Sequence, residues 1–145
     1  MNQTIGKFGY PGTLVRELEH WVVLLRPKQP TLASLVLACK DDAKALPDIS
    51  ATAFAELQSA TREIEATLGA LFRYDKINYL MLMMIDPDVH FHVLPRYASE
   101  RDFGGVRFVD TGWPKVPDLA HEHDVPPPVF ESLRRALVEG WISRD

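Results

Sequence analysis

Asp88, His90 and His92 alternate along the stretch DVHFHVLPRY. In an extended chain alternate residues share a face. These three would project one way and Val89, Phe91 and Val93 the other, with the two histidine α-carbons about 7 Å apart. Imidazoles so placed can touch one ligand together. A neutral imidazole can attack phosphorus to form a covalent phosphoramidate, splitting one hard displacement into two easier ones, while a second imidazole or nearby amides stabilise the equatorial oxygens. That chemistry needs no metal, and no cofactor is expected. The same three residues also make up a two-histidine, one-carboxylate set of the kind that suits non-haem iron or zinc, so a metal-dependent enzyme stays open as a rival.

The elements that must position these residues can be read from hydrophobic patterning. Within 13–26, TLV and WVVLL read as two strands joined by the polar RELEH. Pro27 and Pro30 interrupt regular structure because proline lacks an amide proton and restricts its predecessor. LASLVLACK then resumes as a buried strand. Ser50 or Asp48 can cap a following helix, in which Phe54, Leu57, Ile64, Leu68 and Leu71 fall on one face. KINYLMLMM reads as a further buried strand closed by Asp86 and Pro87, with Met81, Met83 and Met84 as adaptable core. The histidine strand is predicted over 88–94, its apolar face against the helix. Residues 98–128, with GG, GWP and PPP, read as an irregular surface excursion, and a last amphipathic helix is predicted over 129–141. The first dozen residues look loose.

The fold class expected is α+β: a mainly antiparallel sheet of about five strands, a long helix packed on it, and an irregular C-terminal region ending in a helix. A length of 145 residues fits one domain, with a core over 13–97 and an extension over 98–145. A formal charge of −4 argues against broad binding to a nucleic-acid polymer, which needs a concentrated cationic surface, but leaves room for one nucleotide in a local pocket. No stretch approaches the length of a membrane span and no apolar signal core opens the chain, so a cytoplasmic protein without membrane contact is expected. Cys39, the one cysteine, reads as a buried structural thiol.

Other polar residues carry weaker signals. The HEHD cluster of His121 to Asp124 has metal-ligand residue types but reads as a solvated loop. Arg96 reads as a surface or strand-end cation. Arg26 and Lys28 could approach a ribose or phosphate, but no site is assigned to them.

The run INYLMLMMIDPDVHFHVLPRY resembles the signature of the histidine-triad (HIT) family, in which three alternating histidines are followed by two apolar residues and often Pro-Arg. It is most similar to bacterial members, resembling dinucleoside polyphosphate hydrolases, that place an Asn-Tyr pair ten residues before the first triad histidine, as Asn78 and Tyr79 stand relative to Asp88. The resemblance covers 13–97 in order of elements and is specific over 78–97. It implies that His90 is the nucleophile toward an α-phosphate and that His92 contacts the phosphate. Asp88 replaces the first histidine, and Met83, Met84 and Ile85 stand where related proteins often carry Gly-Asn and a polar residue. The activity implied is hydrolysis or transfer at the α-phosphate of a nucleoside phosphate, dinucleoside polyphosphate or nucleoside phosphoramidate. A nucleotide-binding protein of the same fold without turnover is the alternative. A homodimer is expected because the family commonly dimerises, and because three tryptophans and many apolar side chains exceed what a small domain buries easily.

Overall fold

The structure is a computed structural model that describes residues 1–144. The two most continuous apolar runs become neighbouring strands: β1 (Leu14–Glu17) turns back into β2 (Trp21–Leu25), and β2 pairs with β3 (Leu35–Cys39). Every residue of β2 and β3 is buried, because both faces of the sheet are covered there. With β4 (Lys76–Leu80) and β5 (His90–Arg96) they form a five-stranded sheet in the order β1-β2-β3-β5-β4, each pair antiparallel. The α+β reading holds.

The helix α2 (Ala51–Phe72) begins where expected, with the Ser50 hydroxyl accepting from the Ala53 amide. Its buried face is rotated from the one read in the sequence. Phe54 and Leu71 are 41% and 38% exposed, whereas Ala53, Ala60, Glu63, Ile64, Thr67, Leu68 and Phe72 are buried. Small residues let the helix approach the sheet closely, and Trp21 Nε1 donates to the Ala53 carbonyl at 2.8 Å. The buried polar groups are satisfied from outside the helix: Glu63 accepts from Arg16 Nε and Trp141 Nε1, and Thr67 from the Ile142 amide. These bonds dock the C-terminal segment.

That segment is more ordered than the sequence suggested. Arg101–Phe103 (β6) and Val106–Phe108 (β7) form a hairpin around Gly104 and Gly105, whose φ of 58° and 82° are the positive values a two-residue hairpin turn requires. Helix α3 runs over Pro127–Glu139, starting two residues before the predicted point because proline suits a first helical turn. Its Leu133 and Leu137 enter the core beneath α2.

The opposite face of the sheet is covered by the N-terminus, contrary to the expectation of looseness. Helix α1 (Gln3–Lys7) buries Ile5 among Val22, Leu24, Val36 and Ala38. Asn2 caps it, and Asn2 Nδ2 donates to the Cys39 carbonyl at 2.8 Å. Strand β4 stops at Leu80, short of the predicted run, although Met81 and Met83 still pack against the core as expected. Met83 takes a left-handed φ of 54° that a strand does not admit, and Met84 and Ile85 are 85% and 82% exposed. No helix among the described residues is long and apolar enough to cross a membrane.

Candidate functional site

His90 and His92 lie side by side on β5, as alternation requires, on the sheet face opposite α2. Phe91 points to the other face and packs near Trp21, ring centroids 6.1 Å apart. The neighbours that flank the histidines on β3 are small: His90 pairs with Ala38 and His92 with Val36. This leaves room for both rings, whose centroids are 5.1 Å apart in an edge-to-face arrangement. The ring of Phe8, just past α1, sits 5.7 Å from each and leaves His90 only 2% and His92 only 7% exposed.

Hydrogen bonds give the two imidazoles opposite roles. His90 Nδ1 lies 2.7 Å from the Asp88 carbonyl oxygen, which can only accept, so Nδ1 carries the proton and the neutral ring keeps its lone pair on Nε2. His92 Nδ1 receives the Nε–H of Arg26 at 3.3 Å, so Nδ1 is the acceptor and Nε2 carries the proton. Neither Nε2 has a hydrogen-bond partner among the described residues, and no buried side-chain polar atom there lacks one, so both open onto the cleft. Burial, followed by the Arg26 charge and that of His90, lowers the His92 pKa to about 4, with Asp86 opposing.

Asp88 does not join this face by its side chain. Strand β5 begins at His90, two residues later than predicted, although Cys39 still donates to the Val89 carbonyl. The Asp88 carboxylate turns toward α1, accepting from the Thr4 amide at 3.1 Å, while the Asp88 amide donates to Thr4 Oγ1 at 3.0 Å. Lys44 Nζ pairs with the other carboxylate oxygen. Burial pushes the carboxyl up, but Lys44 and the Thr4 bonds outweigh it and hold Asp88 below the usual carboxylate range. The carboxylate is therefore an anchor for the N-terminus, and its charge is neutralised away from the histidines.

A cleft of about 350 Å³ opens beside the two histidines, with Lys7, Arg26 and Lys28 among its walls and Met83 to Asp86 along one side. Lys7 pairs with Asp86 at 2.5 Å, joining α1 to the loop after β4. Arg26 was left without a role by sequence reasoning. Its signal was the period of two, since Val22, Leu24 and Arg26 share a face, but only the register Leu24–Val36–His92 reveals which histidine it meets.

A larger hollow of about 690 Å³ follows Lys76–Leu80 and the loop at Trp113–Pro117. It contains neither histidine. Its Arg96 is no surface cation: it is 3% exposed, bonded through Nε and Nη2 to Asp110 at 2.7 and 3.0 Å, and through Nη1 to Asn78 at 2.7 Å. Asn78 and Arg96, which carry part of the sequence resemblance, thus support the sheet, and Tyr79 donates to Glu65. The HEHD loop is likewise tied down: His123 Nδ1 donates to the Gln29 carbonyl, and its Nε2 accepts from the Val109 amide. No group of three or more His, Cys, Asp or Glu among the described residues is arranged to hold a metal ion, so the geometry does not assemble Asp88, His90 and His92 as ligands. Cys39 is buried, as expected.

No protein-family model and no curated protein sequence matches the chain. Solved structures do. A histidine triad (HIT) protein from Sinorhizobium meliloti superposes with a TM-score of 0.75 at 18% identity, covering 97% of this chain and 95% of its own. A histidine triad protein from Bradyrhizobium japonicum gives a TM-score of 0.73 at 16% identity, covering 97% and 96%. A hypothetical histidine triad nucleotide-binding protein from Sulfolobus tokodaii gives 0.69 at 15% identity, covering 94% and 88%. With its five-stranded antiparallel sheet and long packed helix, the chain has the fold of the histidine-triad proteins.

Proposed function

We propose that the chain is a histidine-triad nucleotide hydrolase or nucleotidyl transferase that acts at the α-phosphate through a nucleotidyl-His90 intermediate. The observation that carries this reading is the bond from His90 Nδ1 to the Asp88 carbonyl, which leaves Nε2 as the nucleophile. Nε2 attacks the α-phosphorus, a P–N bond forms, and the bond to the leaving group breaks with its electron pair going to that group. Water or another acceptor then attacks phosphorus and the P–N electrons return to Nε2. His92 offers Nε2–H to a phosphoryl oxygen as charge builds there. Asp88 acts through its carbonyl, as a positioning residue. Lys7, Arg26 and Lys28 give the cleft a local positive character in a chain of net charge −4, which favours a nucleoside phosphate, dinucleoside polyphosphate or nucleoside phosphoramidate. The nucleotide-binding description of the Sulfolobus tokodaii protein supports the same ligand class.

Membership of the histidine-triad family, a homodimer and a cytoplasmic setting belong to this proposal. Strand β4 is an edge of the sheet, and the exposed Met84 and Ile85 nearby offer apolar surface to a second copy. Light scattering at micromolar concentration tests the dimer. A nucleotide-binding protein of the same fold, its turnover lost through Asp88 and Ile85, is the second reading, favoured by the Asp88 carboxylate being turned away to Thr4 and Lys44.

Intact-mass measurement after rapid mixing with dinucleoside polyphosphates and nucleoside phosphoramidates tests the reaction. The expected result is one acid-labile nucleotidyl group on the wild type and none on His90→Ala, with nucleotide binding retained within a few-fold. His92→Ala should weaken both labelling and binding. Equal turnover by wild type and His90→Ala on a substrate that the wild type clearly cleaves refutes the covalent mechanism.

A further inference from the structure

An imidazole beside a phosphate can offer it a proton or a lone pair, and only the proton is useful against a negatively charged oxygen. The ring of His92 by itself leans only weakly toward Nε2–H and leaves both neutral forms populated. The deciding group comes from the residue that follows β2. Leu24, Val36 and His92 form one row across the sheet, and Arg26, two residues past Leu24, reaches the same face one rung further on. Its side chain and backbone are both held. Nη1 donates to the Lys28 carbonyl at 2.8 Å, and the Arg26 carbonyl accepts from Gln29 Nε2 at 2.7 Å. The other side-chain hydrogen bond is from Nε to His92 Nδ1 at 3.3 Å. A guanidinium has donors only, so the nitrogen that it faces must be the unprotonated one.

We infer that Arg26 is a positioning residue that, by donating Nε–H to His92 Nδ1, holds His92 in the tautomer whose Nε2–H is offered to the phosphoryl oxygens of a nucleotide bound at His90. The inference rests on the reading of the site proposed above and names how its second imidazole is kept in its donating form. The charged groups facing His92 agree with it. Arg26 and His90 disfavour a second proton on the ring and Asp86 favours one, with burial the largest influence. His92 therefore stays neutral well below pH 6, and the Arg26 bond selects between its two neutral forms. Arg26 is itself half-buried, and burial lowers its pKa from the ordinary arginine value against the opposing charge of Glu122.

Long-range proton–nitrogen correlation spectra of the full-length, nitrogen-15-labelled chain report which ring nitrogen carries the proton and need no substrate. In the wild type, His92 should show a protonated Nε2 and a bare Nδ1, and stay neutral as the pH falls past 5. Arg26→Met should give a mixture of tautomers and a His92 titration moved to higher pH. Arg26→Lys restores the charge but not the Nε–H, so the mixture should persist while the titration moves less. A protonated Nδ1 in the wild type, or an unchanged tautomer in Arg26→Met with a native amide spectrum, overturns the inference. Should the methionine variant not fold, Arg26→Lys decides: an unchanged His92 tautomer there, with a native amide spectrum, overturns the inference. Where the wild type forms nucleotidyl-His90, Arg26→Met should lower kcat about tenfold or more with a smaller change in KM. A correct tautomer without any labelling of His90 retains the role of Arg26 and removes the proposed reaction instead.

Discussion

The imidazole of His90 and the main chain of Asp88 are joined at 2.7 Å, so the first of the three alternating residues orients the His90 ring with its carbonyl and leaves its carboxylate for another task. That task is holding Thr4, 84 residues away in the chain.

Substitutions at Asp88 should therefore act on stability before they act on chemistry. Asp88→Ala strips a buried amide of a charged acceptor and is expected to cost about 1–3 kcal/mol, read as a lowered urea midpoint. Asp88→His, which restores the residue of the family pattern, should lose the same anchor without raising the rate of His90 labelling. A clear gain in rate would place the carboxylate, in effect, against the phosphates.

The low pKa of His92 sets an acid dependence. Its folded value, about 4, lies below the unfolded 6.5, so the unfolded chain binds the proton more readily. This contribution to stability is complete above about pH 6.5 and is lost as the pH falls toward 4. Over that window His92→Gln should show a flatter stability profile than the wild type, by on the order of 2 kcal/mol, in urea titrations at successive pH values. Asp88, also held below its ordinary range, adds its loss at more acid pH in both proteins.

Phe8 covers both rings, and removing it should uncover them. Phe8→Ala is expected to speed modification of His90 by diethyl pyrocarbonate several-fold, followed by peptide mass spectrometry. An unchanged rate would mean that reagents reach Nε2 by a route that Phe8 does not obstruct.

Arg96 and Asp110 are both buried. Asp110→Ala leaves a guanidinium without its counter-charge and should cost about 3–5 kcal/mol in denaturant unfolding, whereas Asp110→Asn, which keeps an acceptor, should cost less.

Much of this arrangement was legible because it follows from period and local chemistry. The HxH spacing put both imidazoles on one face, and WVVLL, LVLAC and the Ser50 cap marked their elements. What escaped was decided by contacts distant in sequence. Asp88 alternates with the histidines, yet the reciprocal bonds with Thr4 draw it out of the strand. The rotation of α2 depends on Glu63 and Thr67 finding partners near 141–142, which no helical wheel reveals. The paired glycines at 104–105 signalled a turn, but the three-residue strands on either side were too short to show alternation.

The strand carrying the histidines lies between β3 and β4 and is hydrogen-bonded along both edges, while the helix above them is only five residues long. Amide exchange should divide accordingly. Protons on His92 and Val93, where the pairings with β3 and β4 overlap, can leave only when the sheet itself comes apart and should exchange at the rate set by global unfolding, whereas those of α1 can be released by local opening. On this division the two imidazoles sit on the strand expected to exchange most slowly, and any opening that uncovers them belongs to what lies over them.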